Sequence, residues 1–146
     1  MTFYFFDTSA LVKRYHLEPG SERVNAIFDD QANILIISEL ALVELASALR
    51  RKQNRGEITL QAMNDALAQF ANEVVSDLLV AGFRSGFIQG ARELVLQHGL
   101  RTLDALQLTS ASEFRALSPV FVCADAKLRR AASDMGLVAL DPETVL

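Results

Sequence analysis

The chain has one cysteine, Cys123, so no internal disulfide can form, and it suits a reducing compartment. With 3 prolines and 7 glycines in 146 residues it is no loop-rich scaffold. Its 2 histidines, His16 and His98, have no paired His or Cys and are expected at the surface or at helix ends, without a ligand role. Apolar runs approaching the ~18 residues that cross a bilayer are absent. A basic leader is absent too: Asp7 interrupts the first apolar run at once, so a cytoplasmic protein is expected. Excess positive charge is also lacking. The 14 basic residues face 18 acidic ones, a net charge of −4. That disfavours a general nucleic-acid binder, but not a local patch. The bases cluster as Lys13 with Arg14, as Arg50, Arg51, Lys52 and Arg55, and as Lys127, Arg129 and Arg130.

What is present is globular: 51% apolar and 22% charged residues. The length suits one domain over 1–146, at ~100–200 residues per domain. Thr2–Phe6, Asn33–Ile37, Val120–Cys123 and Leu137–Leu140 read as short buried strands. Helices are expected from Ala10 to Tyr15, Ser21 to Ala32, Ser38 to Asn54, and Thr59 onward. Three more are expected from Gly86 to Gln97, Thr102 to Phe114, and Ala126 to Met135. Ser38 reads as a helix N-cap. Asp77–Gly82 reads equally as a strand or as a helix end. Leu60, Met63, Leu67, Phe70 and Val74 form an apolar stripe, read as core. Strands alternating with helices imply an α/β fold with a parallel sheet covered on both faces. Such sheets place their chemistry at the carboxyl ends of the strands.

Acids stand at those ends. Asp7 directly follows the first strand, and Asp125 follows the Val120–Cys123 strand with one residue between. Glu44 lies in Leu40-Ala41-Leu42-Val43-Glu44-Leu45, with no base one helical turn away. A buried lone carboxylate is costly, and a metal cation is the simplest neutraliser. Asp104, in Leu103-Asp104-Ala105-Leu106, is likewise flanked by apolar residues. Gathered at one site, four acids repel one another and bind divalent cations or share protons. Oxygen-only ligation suits Mg²⁺ or Mn²⁺ rather than Zn²⁺. Removing these 4 from 18 acids leaves 14, equal to the bases.

Taken together, Phe5-Phe6-Asp7-Thr8-Ser9-Ala10-Leu11, Val43-Glu44, Leu103-Asp104-Ala105-Leu106 and Phe121-Val122-Cys123-Ala124-Asp125-Ala126 resemble the PIN-domain family. The likeness is to VapC-like toxins of prokaryotic toxin–antitoxin pairs, and it spans nearly the whole chain. The resemblance implies a three-layer α/β/α fold with a five-stranded parallel sheet of order 3-2-1-4-5. It implies a Mg²⁺- or Mn²⁺-dependent endoribonuclease that cleaves RNA with a metal-activated water. A cognate antitoxin and a homodimer are implied as partners. Asp7, Glu44, Asp104 and Asp125 match the acids that hold one or two ions. Thr8 and Ser9 match residues that orient Asp7 or bind metal water. Many relatives carry Thr where this chain has Cys123, which otherwise reads as an inert buried residue. Lys13, Arg14, Lys127 and Arg129, within a turn or two of the acids, are expected to meet phosphates.

Other readings remain open at this level. Asp7, Asp104 and Asp125 can each be a helix cap, a first-turn acid or a turn residue. A phosphotransferase with Asp7 as nucleophile would place a second Asp two residues on, where Ser9 stands. A catalytically silent protein-binding module would tolerate loss of the acids, yet all four are present.

Overall fold

The fold is that of a computed structural model, which describes residues 1–144. Five short strands, β1 (Phe3–Phe6), β2 (Ile34–Ser38), β3 (Leu78–Ala81), β4 (Val120–Val122) and β5 (Val138–Leu140), form one sheet. Every pairing is parallel and the order is β3-β2-β1-β4-β5, as expected. The helices are α1 (Thr8–Tyr15), α2 (Ser21–Asp29), α3 (Leu40–Asn54), α4 (Leu60–Ser76), α5 (Phe87–His98), α6 (Thr102–Ser112) and α7 (Ala126–Asp134).

The strands are apolar throughout because both faces are covered, and successive side chains point to opposite layers. Phe5, Ile36 and Phe121 pack against Phe87 and Leu94 of α5, Leu108 of α6 and Leu128 of α7. Phe6, Leu35, Ile37 and Val122 pack against Leu11 of α1, Val24 of α2, Leu45 of α3 and Phe70 of α4. Three layers result. Helices α5 and α6 approach closely at Gly90, where a Cβ would stand 3.1 Å from Thr109 Cγ2.

Some local expectations shift. Leu78–Ala81 is an edge strand, because it pairs residue for residue with Leu35–Ser38. Helix α2 stops at Asp29, and the Asp30 carboxylate accepts from Ala32 N (3.0 Å), turning the chain into β2. Ser38 stands one residue before the N-cap position, held by Glu39, yet its Oγ still accepts from Leu40 N at 3.1 Å. In the α4 stripe Met63 and Phe70 are buried, but Leu60 is exposed. No helix among the described residues is long and apolar enough to cross a membrane.

The topology decides where a site can form. From β1 the chain moves to β2 on one side, and after β3 it returns to β4 on the other side of β1. The carboxyl ends of β1 and β4 therefore border a topological switch point, where crossovers diverge and leave a cleft.

Candidate metal centre

Asp7 leaves β1 at that point. Its backbone N donates to Val122 O (3.0 Å), tying it to the end of β4. Its side chain caps α1, accepting from Ser9 N (3.1 Å) and Ser9 Oγ (2.5 Å). Both bonds, and the Cys123 thiol at 3.6 Å, meet the same oxygen, Oδ2. The Ser9 hydroxyl also accepts from Ala124 N at 3.0 Å, so it joins the ends of β1 and β4. Glu44 projects from α3, Asp104 from the first turn of α6, and Asp125 is the N-cap of α7. All four carboxylates line one cleft of about 330 Å³, together with Thr8, Ser9, Val43, Ser47, Arg51, Arg101 and Leu103. A larger groove of about 620 Å³, bordered by Tyr4, Glu22, Arg23, Asp30, Asn33, Pro142 and Glu143, opens near the start of β2.

The acids sense one another. Asp7 is 4% exposed, and burial raises its pKa, as does the charge of Asp104, against the lowering effect of Ser9's hydrogen bonds. Burial also raises the pKa of Glu44, and the charges of Asp7 and Asp104 add to it. The opposing influence is Gln107, whose Nε2 donates to Glu44 Oε1 (2.7 Å) and to Thr8 Oγ1 (3.1 Å). Gln107 is fully buried, and its Oε1 has no protein partner.

A divalent cation suits this donor set. The donors are oxygens only, neighbouring carboxylate charge raises the pKa of Asp7 and of Glu44, and the described bonds to Asp7 leave Oδ1 without a protein donor. Among the described residues, no three His, Cys, Asp or Glu side chains stand close enough together to hold an ion as they are placed. The arrangement is an open rim of acids, two of them held by Arg101.

The model of the family described as PIN domain matches residues 4–134. The chain belongs to the PIN-domain family. Among solved structures this PIN domain superposes on PAE2754 from Pyrobaculum aerophilum at 20% identity and TM-score 0.66, over 94% of this chain and 83% of that one. It superposes on VapC20 of Mycobacterium tuberculosis, a sarcin-ricin loop cleaving toxin, at 17% identity and TM-score 0.68, over 99% and 100%. FitAcB from Neisseria gonorrhoeae matches at 16% identity and TM-score 0.64, over 97% and 99%. At these identities the likeness is one of fold. No curated protein sequence matches the chain.

Three of the four cations expected to meet phosphates, Lys13, Arg14 and Arg129, are engaged by acids of the fold in this PIN domain. Lys13 is buried and donates to Glu18 (3.1 Å) and Glu143 (3.5 Å). Arg14 bonds Glu73 at 2.7 Å, Asn25 at 3.0 Å and Asp29 at 3.3 Å. Both sit at the far end of α1, about 9 Å along the axis from Asp7 at ~1.5 Å per residue. Arg129 donates to Cys123 O (3.0 Å) and pairs with Asp141 (3.3 Å), stapling β4 to the chain after β5. Lys127 is exposed and donates to Gly99 O at 2.7 Å, closing the end of α5.

Two residues that sequence reasoning passed over, Arg101 and Gln107, line or support the cleft, as does Arg51 of the basic cluster noted in the sequence. Arg101 precedes Asp104 by three, and Gln107 follows it by three, so all share one side of α6. Arg51 follows Glu44 by two helical turns, beyond the single turn inspected for salt bridges, and donates to Ser47 Oγ at 2.6 Å. The neutral partner of Glu44 is an amide from another helix, 63 residues away, which a search for local bases cannot find. Cys123 is fully buried but not isolated, since its thiol faces Asp7, Ser9 and the Asp125 carbonyl.

Proposed function

We propose that this PIN domain is a Mg²⁺- or Mn²⁺-dependent endoribonuclease, the toxin of a toxin–antitoxin pair. The observation that carries the reading is the convergence of Asp7, Glu44, Asp104 and Asp125, from four separate elements, on one cleft. Family membership and the likeness in fold to a sarcin-ricin loop cleaving toxin support it. An RNA substrate, a cognate antitoxin and a second copy of the chain are the partners this reading entails. The cytoplasm is the compartment it entails.

The roles follow from placement. Asp7, Glu44, Asp104 and Asp125 supply the oxygen donors for one or two ions. A bound divalent ion polarises the phosphodiester and lowers the pKa of water. Ser9 holds Asp7 by two hydrogen bonds to one oxygen, which leaves the other without a described protein donor. Thr8 shares the Gln107 amide with Glu44, so one side chain ties the other two together. On this reading Arg51 on the wall, and the exposed Lys127 just past Asp125, meet backbone phosphates. Val43 and Leu103 form an apolar rim beside the acids.

Calorimetry with Mn²⁺, comparing the wild type with the Asp7→Asn/Asp104→Asn variant, tests the reading once melts show that both fold. Binding in the wild type alone supports a metal centre and justifies a search for the RNA target. Equal binding, or none in either, makes the acids structural and moves the reading to a protein-binding module.

A further inference from the structure

Two of the four acids already hold a cation, and it belongs to the chain. Arg101 stands at the N-cap position of α6. Its Nε donates to Asp104 Oδ2 at 3.2 Å, and its Nη2 lies 3.8 Å from Asp125 Oδ2. The other oxygen of Asp125, Oδ1, is engaged by Leu128 N at 3.0 Å as the cap of α7. The guanidinium therefore bonds Asp104 and lies within ion-pair range of the Asp125 oxygen that the cap leaves open.

Its attachment is unlike that of the other arginines paired with acids inside the fold. Arg14 is 17% exposed and Arg129 is 22% exposed, each with further acceptors around it. The Arg101 side chain is 82% exposed, with no packing to hold it. Its backbone is fixed, because Leu100 before it is buried in the core and α6 begins after it. The result is a free cation on a fixed pivot at the mouth of an acidic cleft. Exposed ion pairs are weak and screened, whereas a divalent ion gains from several carboxylates at once.

We infer that Arg101 is a resident counter-cation of this cleft, displaced from Asp104 and Asp125 by the divalent ion and then turned to an RNA phosphate at the same mouth. The inference rests on the proposed metal-dependent ribonuclease reading and assigns this arginine two successive partners. It couples the two binding events, since the ion releases the group that grips the substrate. Removing Arg101 should therefore strengthen one ligand and weaken the other, which neither a plain phosphate contact nor a structural salt bridge would do.

The test uses the full chain, with Mn²⁺ alone and then a phosphorothioate single-stranded RNA in Mn²⁺. Arg101→Ala tightens Mn²⁺ binding about three- to tenfold, the range expected for release of two exposed pairs. The same variant weakens the RNA and lowers the slope of log affinity against log salt by about 1. Arg101→Gln keeps the length of the side chain and moves both readouts in the same directions. Arg51→Ala removes the same charge from the cleft without a described contact to Asp104 or Asp125, and it tightens Mn²⁺ less than Arg101→Ala does. Equal or weaker Mn²⁺ binding in Arg101→Ala, with wild-type binding intact, overturns the Arg101 role alone. So does equal tightening in Arg51→Ala, which would reduce the effect to bulk charge. An unchanged salt slope overturns the phosphate half. No Mn²⁺ binding by the wild type overturns the metal reading itself, and this inference with it.

Discussion

Helix α1 has a charged cluster at each end, and the two are built on opposite terms. At its far end Lys13 meets Glu18 and Glu143, Lys52 meets Glu18 and Glu57, and Arg14 meets Glu73 and Asp29. The Arg14 guanidinium also lies 4.8 Å from the centre of the Phe28 ring. Each buried charge there has an opposite charge beside it, as burial requires. At the N-terminal end the four carboxylates share one cleft, and the cation that touches them, Arg101, reaches only two. Matched charges hold the scaffold together. Like charges held together in a fold that could have paired them, as it paired the far end, point to a neutraliser that the chain does not supply.

The largest expected effect separates the two ends by activity. Asp7→Asn, Glu44→Gln and Asp104→Asn each lower RNA cleavage on the order of a thousandfold while the melting curve stays cooperative. Full activity in all three would erase the distinction. Next is the converse, at the scaffold end. Glu73→Ala leaves Arg14 half-buried with its main partner gone, and costs about 3–5 kcal/mol in a urea titration. Mn²⁺ affinity of the surviving folded chain is unchanged.

A finer test concerns the support beneath the acids. Gln107→Met fills the same space without donating to Glu44 or Thr8. Mn²⁺ affinity then falls about tenfold, as for other groups that orient metal ligands, and Gln107→Glu does not restore it. Melting unchanged with affinity unchanged would reduce Gln107 to core filling. The smallest effect is one of stability against pH. Asp7 and Glu44 have raised pKa values in the folded chain, so the folded state keeps protons that the unfolded chain has already lost. Metal-free stability therefore falls as pH rises from the ordinary carboxylate range through those raised values. Asp7→Asn removes part of this penalty and raises the melting temperature at pH 7 by about 2–6 °C, without metal. A lower melting temperature would mean that the Asp7 charge is compensated after all.

Much of this was legible in the residues. Asp7 stands out because it directly follows a strand, and Asp125 because it follows one after a short gap; each begins a helix, and both are side-chain caps in the structure. Glu44 stands out because nothing one turn away can pair with it. The phosphate contacts were less legible. Lys13 and Arg14 are near Asp7 in sequence, but six and seven helical residues carry them to the opposite end of α1, among acids from α2, α4 and the C-terminal segment. Nearness along a helix is nearness in space only within about one turn. Gln107 carried no signal at all until α6 was packed across β1 from α3.

The sequence by itself determined the alternation of strand and helix and the acids at the strand ends. Those depend on periodicity and capping, which act over a few neighbouring residues. Tertiary structure alone decided that Leu78–Ala81 is an edge strand, that Gln107 steadies Glu44, and which arginines are bound into the scaffold. Those outcomes hang on contacts between segments tens of residues apart, and such contacts exist only once the crossovers have laid the helices on the two faces of the sheet.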